Sequence, residues 1–375
     1  MKYPRPAYNA PGIKTTTNKT VFGALPIVAP VFDTPISRKE NFFRAARRDK
    51  PVWAPIAYTD IQTRLINELA DEKPEENGRL RVQLGPRFTE QPRYDYLYLD
   101  PYGNSWSWVA EAGGAMLTPG TKLLHDICDW EKEIKLPDIN DWNYRETAEK
   151  FMKEEYDPDK VMHINIHQGL TEMLVAFTGG YEEGMVALAA EPEAVADFFE
   201  FYAQHMIDHF DYLDTLYPID FITYHDDWGT ERDTFFSERM MEDLVFAPTK
   251  KIIDHIKGKG KVFELHTCGK IERFLPFMCD LGIDFLQIQR RANDIPMLKE
   301  KYGNRIGFNA PLEGYDRYTP GVSYPDDVLV EMIRNTVDIY CKGGGVYPSL
   351  YVTDPEQVWL AVTETYYYSK EYYEK

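Results

Sequence analysis

The sequence predicts a closed α/β barrel of the (β/α)8 class, and three observations carry that expectation. Eight short strand-like runs occur along the chain, most of them separated by helical patterns. The composition does not shift between the two halves. No glycine-rich phosphate-binding loop follows the first run, as an open nucleotide-binding sheet would require. The 375 residues suit one such barrel, so we expect an N-terminal extension over 1–36 and a single barrel domain over 37–375.

Each element has its own signal. Ser37-Arg-Lys-Glu40 reads as an N-cap with its capping-box glutamate, opening an amphipathic helix over Asn41 to Arg48. Pro51-Val-Trp-Ala-Pro-Ile56 follows as the first buried strand. Tyr94 to Tyr102 reads as the second, and Gly103 to Trp142 as a long insert after it that serves as lid or pocket wall. Six further strands are expected at Val161–His167, Phe221–His225, Val262–His266, Phe285–Gln289, Arg305–Asn309 and Gly345–Ser349. Helices are expected over Glu191 to Leu213, Met240 to Lys257 and Pro325 to Ile339.

Charge and composition exclude several function classes. A net charge of −19 opposes binding to a phosphate backbone, so no nucleic-acid partner is expected. No apolar run approaches the roughly 20 residues that span a bilayer, and Met1 to Thr20 lacks the apolar centre of a secretory signal. We therefore expect a cytoplasmic protein with a loosely ordered leader and no membrane contact. Four cysteines, Cys128, Cys268, Cys279 and Cys341, are too few for a disulfide framework in a chain of this length. The 26 tyrosines suit either an ordinary core or an apolar pocket for a ring-bearing substrate.

In a barrel, catalytic groups stand at the carboxyl ends of the strands. Those ends are polar here: His163, Asn165 and His167 alternate on one, and His225-Asp226-Asp227-Trp228 ends the next. Glu264-x-His266-x-Cys268 ends the third, followed by Gln287 with Gln289 and then Asn309. Alternate residues of a strand share a face, so each set points at a common interior. His266 and Cys268, two apart, can grip one zinc ion through nitrogen and sulfur. Asp226 and Asp227 suit metal binding, proton transfer or a substrate hydroxyl, or else a helix cap. His163 and His167 serve either catalysis or an internal hydrogen-bond network, while Cys279 and Cys341 are expected to be structural.

The run His266-Thr-Cys-Gly269 to Gln289, with Asp226-Asp-Trp-Gly-Thr230, resembles the uroporphyrinogen decarboxylase-like family, which includes corrinoid- and coenzyme M-dependent methyltransferases. The likeness extends from Ser37–Asn41 and Pro51–Trp53 through Phe308–Leu312 to Asp354–Gln357. True decarboxylases carry an Arg-Gln-Ala-Gly-Arg signature after the first strand, where this chain has Ala54-Pro-Ile-Ala-Tyr58. The methyltransferase branch fits better, and its His-x-Cys zinc pair falls on His266 and Cys268. Its third ligand, a cysteine, would fall near Ser349 or Leu350, so Glu264 or Asp227 is expected to complete the set.

The resemblance implies a methyltransferase that moves a methyl group from a small methylated substrate, such as an aryl methyl ether, to a corrinoid protein. Zinc would be the enzyme's cofactor, with cobalamin carried by the partner; a homodimer is compatible with this. Catalytic groups are expected among Asp226, Asp227, His167, Gln289 and Asn309, and metal ligands at His266, Cys268 and Glu264. Two alternatives stand: a metal-independent decarboxylase or lyase using Asp226 or Asp227, and a non-catalytic corrinoid-binding protein.

Overall fold

The computed structural model describes residues 5–19, 26–73, 80–85, 97–109, 114–166, 168–315 and 323–375. Strands β1 (Lys14–Lys19) and β2 (Pro26–Val31) form an antiparallel hairpin, so the leader is structured where a loose segment was expected. The central sheet begins with β3 (Ile61–Leu65). A separate antiparallel sheet follows, made of β4 (Leu97–Leu99), β5 (Ser105–Val109) and β6 (Gly114–Leu117). The central sheet then resumes with β7 (Val161–Ile166), β8 (Phe221–His225), β9 (Val262–Thr267), β10 (Phe285–Ile288), β11 (Gly307–Pro311) and β12 (Val346–Ser349).

Among the described residues the central sheet has seven strands in the order β12-β11-β10-β9-β8-β7-β3, every pair parallel. Helices between them, such as Pro192–Asp214, Phe246–Gly258 and Asp326–Tyr340, cover the outside, which is the (β/α)8 architecture. The six C-terminal strands fall within two residues of their expected places. No described helix is long and apolar enough to cross a membrane.

The first two strands differ from expectation, for identifiable reasons. Pro51–Ile56 forms no ladder because side chains take its backbone groups: Asn41 bonds Val52 N at 2.7 Å and Trp53 O at 2.9 Å, Ser369 Oγ accepts from Ala54 N, and Asp60 accepts from Ile56 N. The short helix Ala57–Asp60 instead packs against β3 and β12, where an eighth strand would stand. Of the second expected strand, residues 94–96 lie outside the described residues, and Leu97–Leu99 is one side of a hairpin. Asp100 turns the chain between β4 and β5 by accepting from Tyr102 N and Asn104 N, with Gly103 at φ +98°.

The helix Arg38–Arg47, capped by Ser37, plugs the amino-terminal end of the barrel. Its buried Phe42 meets the rings of Phe221, Phe285 and Tyr347 at 5.0–5.7 Å. With Ile61, Val161 and Val262 they form an apolar floor. Polar chemistry is therefore confined to the middle and the carboxyl mouth.

Candidate metal centre

Two loops build the mouth, one after β8 and one after β9. Backbone bonds zip them together: Asp226 N donates to His266 O at 3.1 Å, and Lys270 N to Thr230 O at 2.6 Å. Trp228 N adds a bond to Thr267 Oγ1 at 2.9 Å. Contact is so close that a Cβ on Gly269, whose φ is +81°, would lie 2.1 Å from the carbonyl carbon of Gly229. Both motifs thus belong to one structure, and Gly269 is required by it.

The zipped loops bring Asp227, His266 and Cys268 together, with one ligand atom of each within 4.8 Å of the others. Cys268 Sγ lies 3.4 Å from His266 Nε2, which lies 3.9 Å from Asp227 Oδ1. Cys268 N donates to Asp227 Oδ1 at 2.8 Å and holds that carboxylate in place. His266 Nδ1 is 2.6 Å from Gln287 Oε1. Since an amide oxygen only accepts, Nδ1 carries the proton and Nε2 presents its lone pair to the cluster. Gly269 N donates to Gln289 Oε1 at 3.1 Å, fixing the loop itself.

The cluster's chemistry fits a cation. Burial, reinforced by Asp227, pushes the Cys268 thiol up, so without a positive charge the site holds a neutral thiol. Nitrogen, sulfur and oxygen donors, all half-buried, make three ligands, the number that catalytic zinc sites take from the protein.

The other expected residues have different places. Asp226 is fully buried and accepts from Thr171 N and Glu172 N, each at 3.0 Å, and from the Thr171 hydroxyl. It therefore caps, from β8, the helix Leu170–Thr178 that follows β7, and burial raises its carboxyl to about 6. Glu264 does not join His266 and Cys268: it sits deeper in the barrel, bound by Thr223 and Tyr347, with burial raising it to about 7. Asp227 takes the place beside the pair. Asn309, also deep, bonds Tyr347 and Ser349. His167 lies outside the described residues. Cys279 and Cys341 are buried and away from the cluster, and all four thiols are free.

Sequence reasoning missed Glu172. It opens the helix after β7 and accepts from Gln168 N at 3.2 Å. Burial together with Asp227 and Asp226 raises its carboxyl well above the ordinary range. An acidic residue in the first turn of a helix leaving a barrel strand was the available signal. Beside it, Gln168, at φ +80°, helps line an apolar pocket with Ile66, Tyr102, Trp142, Tyr144 and His209. Part of the predicted insert therefore does serve as a pocket wall.

Comparison with known proteins agrees with this architecture. Residues 152–308 match the family model of uroporphyrinogen decarboxylase, a segment holding both loops of the cluster. A methyltransferase from Methanosarcina mazei is similar in structure, with a TM-score of 0.50 and 15% identity over 71% of this chain and 75% of that one. At that identity the likeness is one of fold. An endo-1,4-beta-xylanase from Caldicellulosiruptor owensensis aligns with a TM-score of 0.30 and 10% identity over 59% of this chain and 74% of that one, too low to carry an argument. No curated protein matches the sequence. The matched segment, residues 152–308, is thus similar to the uroporphyrinogen decarboxylase family, and the chain as a whole shares the barrel fold of the Methanosarcina methyltransferase.

Proposed function

We propose that the protein is a corrinoid-dependent methyltransferase of the O-demethylase type. It takes a methyl group from a small methylated compound, an aryl methyl ether being the favoured class, and passes it to the cobalt of cobalamin carried by a separate corrinoid protein. The observation that carries this reading is the Asp227–His266–Cys268 cluster at the mouth of the barrel. A zinc ion held there would supply Lewis acidity to the oxygen that leaves with the rest of the donor. The fold-level likeness to the Methanosarcina methyltransferase supports the same reading.

The chain's own residues do the positioning. Gln287 orients the imidazole, Cys268 N orients the Asp227 carboxylate, and Gln289 holds the loop that carries both ligands of β9. The pocket lined by Tyr102, Trp142 and Tyr144 offers aromatic faces to the ring of the donor. A cytoplasmic setting, where thiols stay reduced, belongs to the same proposal.

The test is transfer of methyl from a panel of aryl and alkyl methyl ethers to reduced corrinoid protein by the zinc-loaded enzyme. Transfer from at least one ether, abolished in Cys268→Ala, supports the proposal. No transfer from any member of the panel overturns it.

A further inference from the structure

Below the cluster the barrel encloses a second polar chamber, which methyl transfer does not use. It is a cavity of about 20 Å³ among Thr63, His163, Asn165, Thr223, Glu264 and Asn309. That is room for one water molecule or one small ion.

The hydrogen bonds around the chamber have a fixed direction. Thr223 Oγ1 gives its only proton to Glu264 Oε1 at 2.8 Å, so it accepts from His163 Nε2, also at 2.8 Å. His163 Nδ1 then accepts from Thr63 Oγ1 at 2.9 Å. From the other side Asn309 Nδ2 donates to Tyr347 OH at 2.8 Å, and Tyr347 OH donates to the second Glu264 oxygen. Both chains end on Glu264, each of whose oxygens accepts a hydrogen bond as in the charged form, which burial holds back until the pH exceeds about 7.

Two requirements are left unmet. Among the described residues no lysine or arginine forms an ion pair with Glu264, which is 1% exposed. Asn165 Oδ1, in a side chain 3% exposed that lines the same cavity, has no hydrogen-bond partner. A water molecule could serve the orphaned carbonyl but would leave the charge that Glu264 carries above about pH 7 uncompensated. A cation meets both needs, and one carboxylate among neutral oxygens matches a single positive charge better than two.

We propose that this chamber is a binding site for a monovalent cation of sodium or potassium size, held by Glu264 and Asn165. The site is independent of the methyl-transfer reading, although Gln287 lines the chamber and also bonds His266.

The test compares thermal midpoints at about pH 8.5, above the raised value of Glu264, in sodium, potassium, rubidium and choline chlorides at equal ionic strength, choline being too large to enter. Binding of a small cation at saturation raises the midpoint by about 4 °C over choline, and Glu264→Gln abolishes the difference. Equal midpoints in all four salts, or an unchanged difference in Glu264→Gln, overturn the proposal. Should that variant fail to fold, wild-type crystals in rubidium chloride decide: an anomalous peak between Glu264 and Asn165 supports the site, and density for water alone rejects it.

Discussion

His266 and Gln287 are register partners on β9 and β10, and the imidazole Nδ1 of one lies 2.6 Å from the amide oxygen of the other. That rung selects the tautomer in which Nε2 is free to bind a metal. Gln287→Leu removes the acceptor without touching a ligand. Zinc affinity, measured by competition with a chromophoric chelator, should fall about 10- to 100-fold.

The paired aspartates should separate cleanly. Asp226→Ala strips a buried cap from the helix Leu170–Thr178 and should cost about 2–4 kcal/mol in urea unfolding, with zinc still bound by the folded fraction. Asp227→Ala, at a half-buried position, should change metal-free stability by about 1 kcal/mol or less and lose the zinc. Comparable metal loss in both variants would show that the pair acts as one unit.

Gly269→Ala should destabilise the protein by about 3 kcal/mol or more, because φ is +81° and the new carbon would meet the Gly229 backbone. Gly258→Ala, at the end of a helix with open space around it, should be neutral or stabilising by about 0.5–1 kcal/mol. Urea midpoints of the two variants read this contrast directly.

Burial lowers the pKa of His163 from 6.5 to about 3. The unfolded chain therefore takes up this proton near pH 6.5 and the folded one does not. Stability from the neutral ring is complete above 6.5 and is lost as pH falls through 6.5 toward 3, by about 1.4 kcal/mol per unit. Between pH 7 and 5 the loss is about 2 kcal/mol, and His163→Gln should flatten the urea-stability profile by that amount.

The legible part of the fold was the part governed by local pattern. Val161–Ile166 through Val346–Ser349 are short apolar runs bounded by turns, and Ser37 with Glu40 announced its helix. Pro51–Ile56 misled because side chains take its backbone groups, Asn41 from the preceding helix and Ser369 from the far end of the chain, which an apolar run does not report. In the site, the two-residue spacing of His266 and Cys268 goes with their close approach, Sγ lying 3.4 Å from Nε2. Period does not give depth, however, and Glu264 is bound by Tyr347 below the level of the cluster. The capping role of Asp226 depends on a helix 55 residues earlier in the chain, which no local motif reports.

Whether Asp227, His266 and Cys268 hold one metal ion is read most directly by elemental analysis of the purified protein with each residue changed to alanine. About one zinc per wild-type chain and essentially none in any of the three variants is the expected result. Wild type without zinc after metal-replete purification, or full zinc in any of the variants, would contradict it.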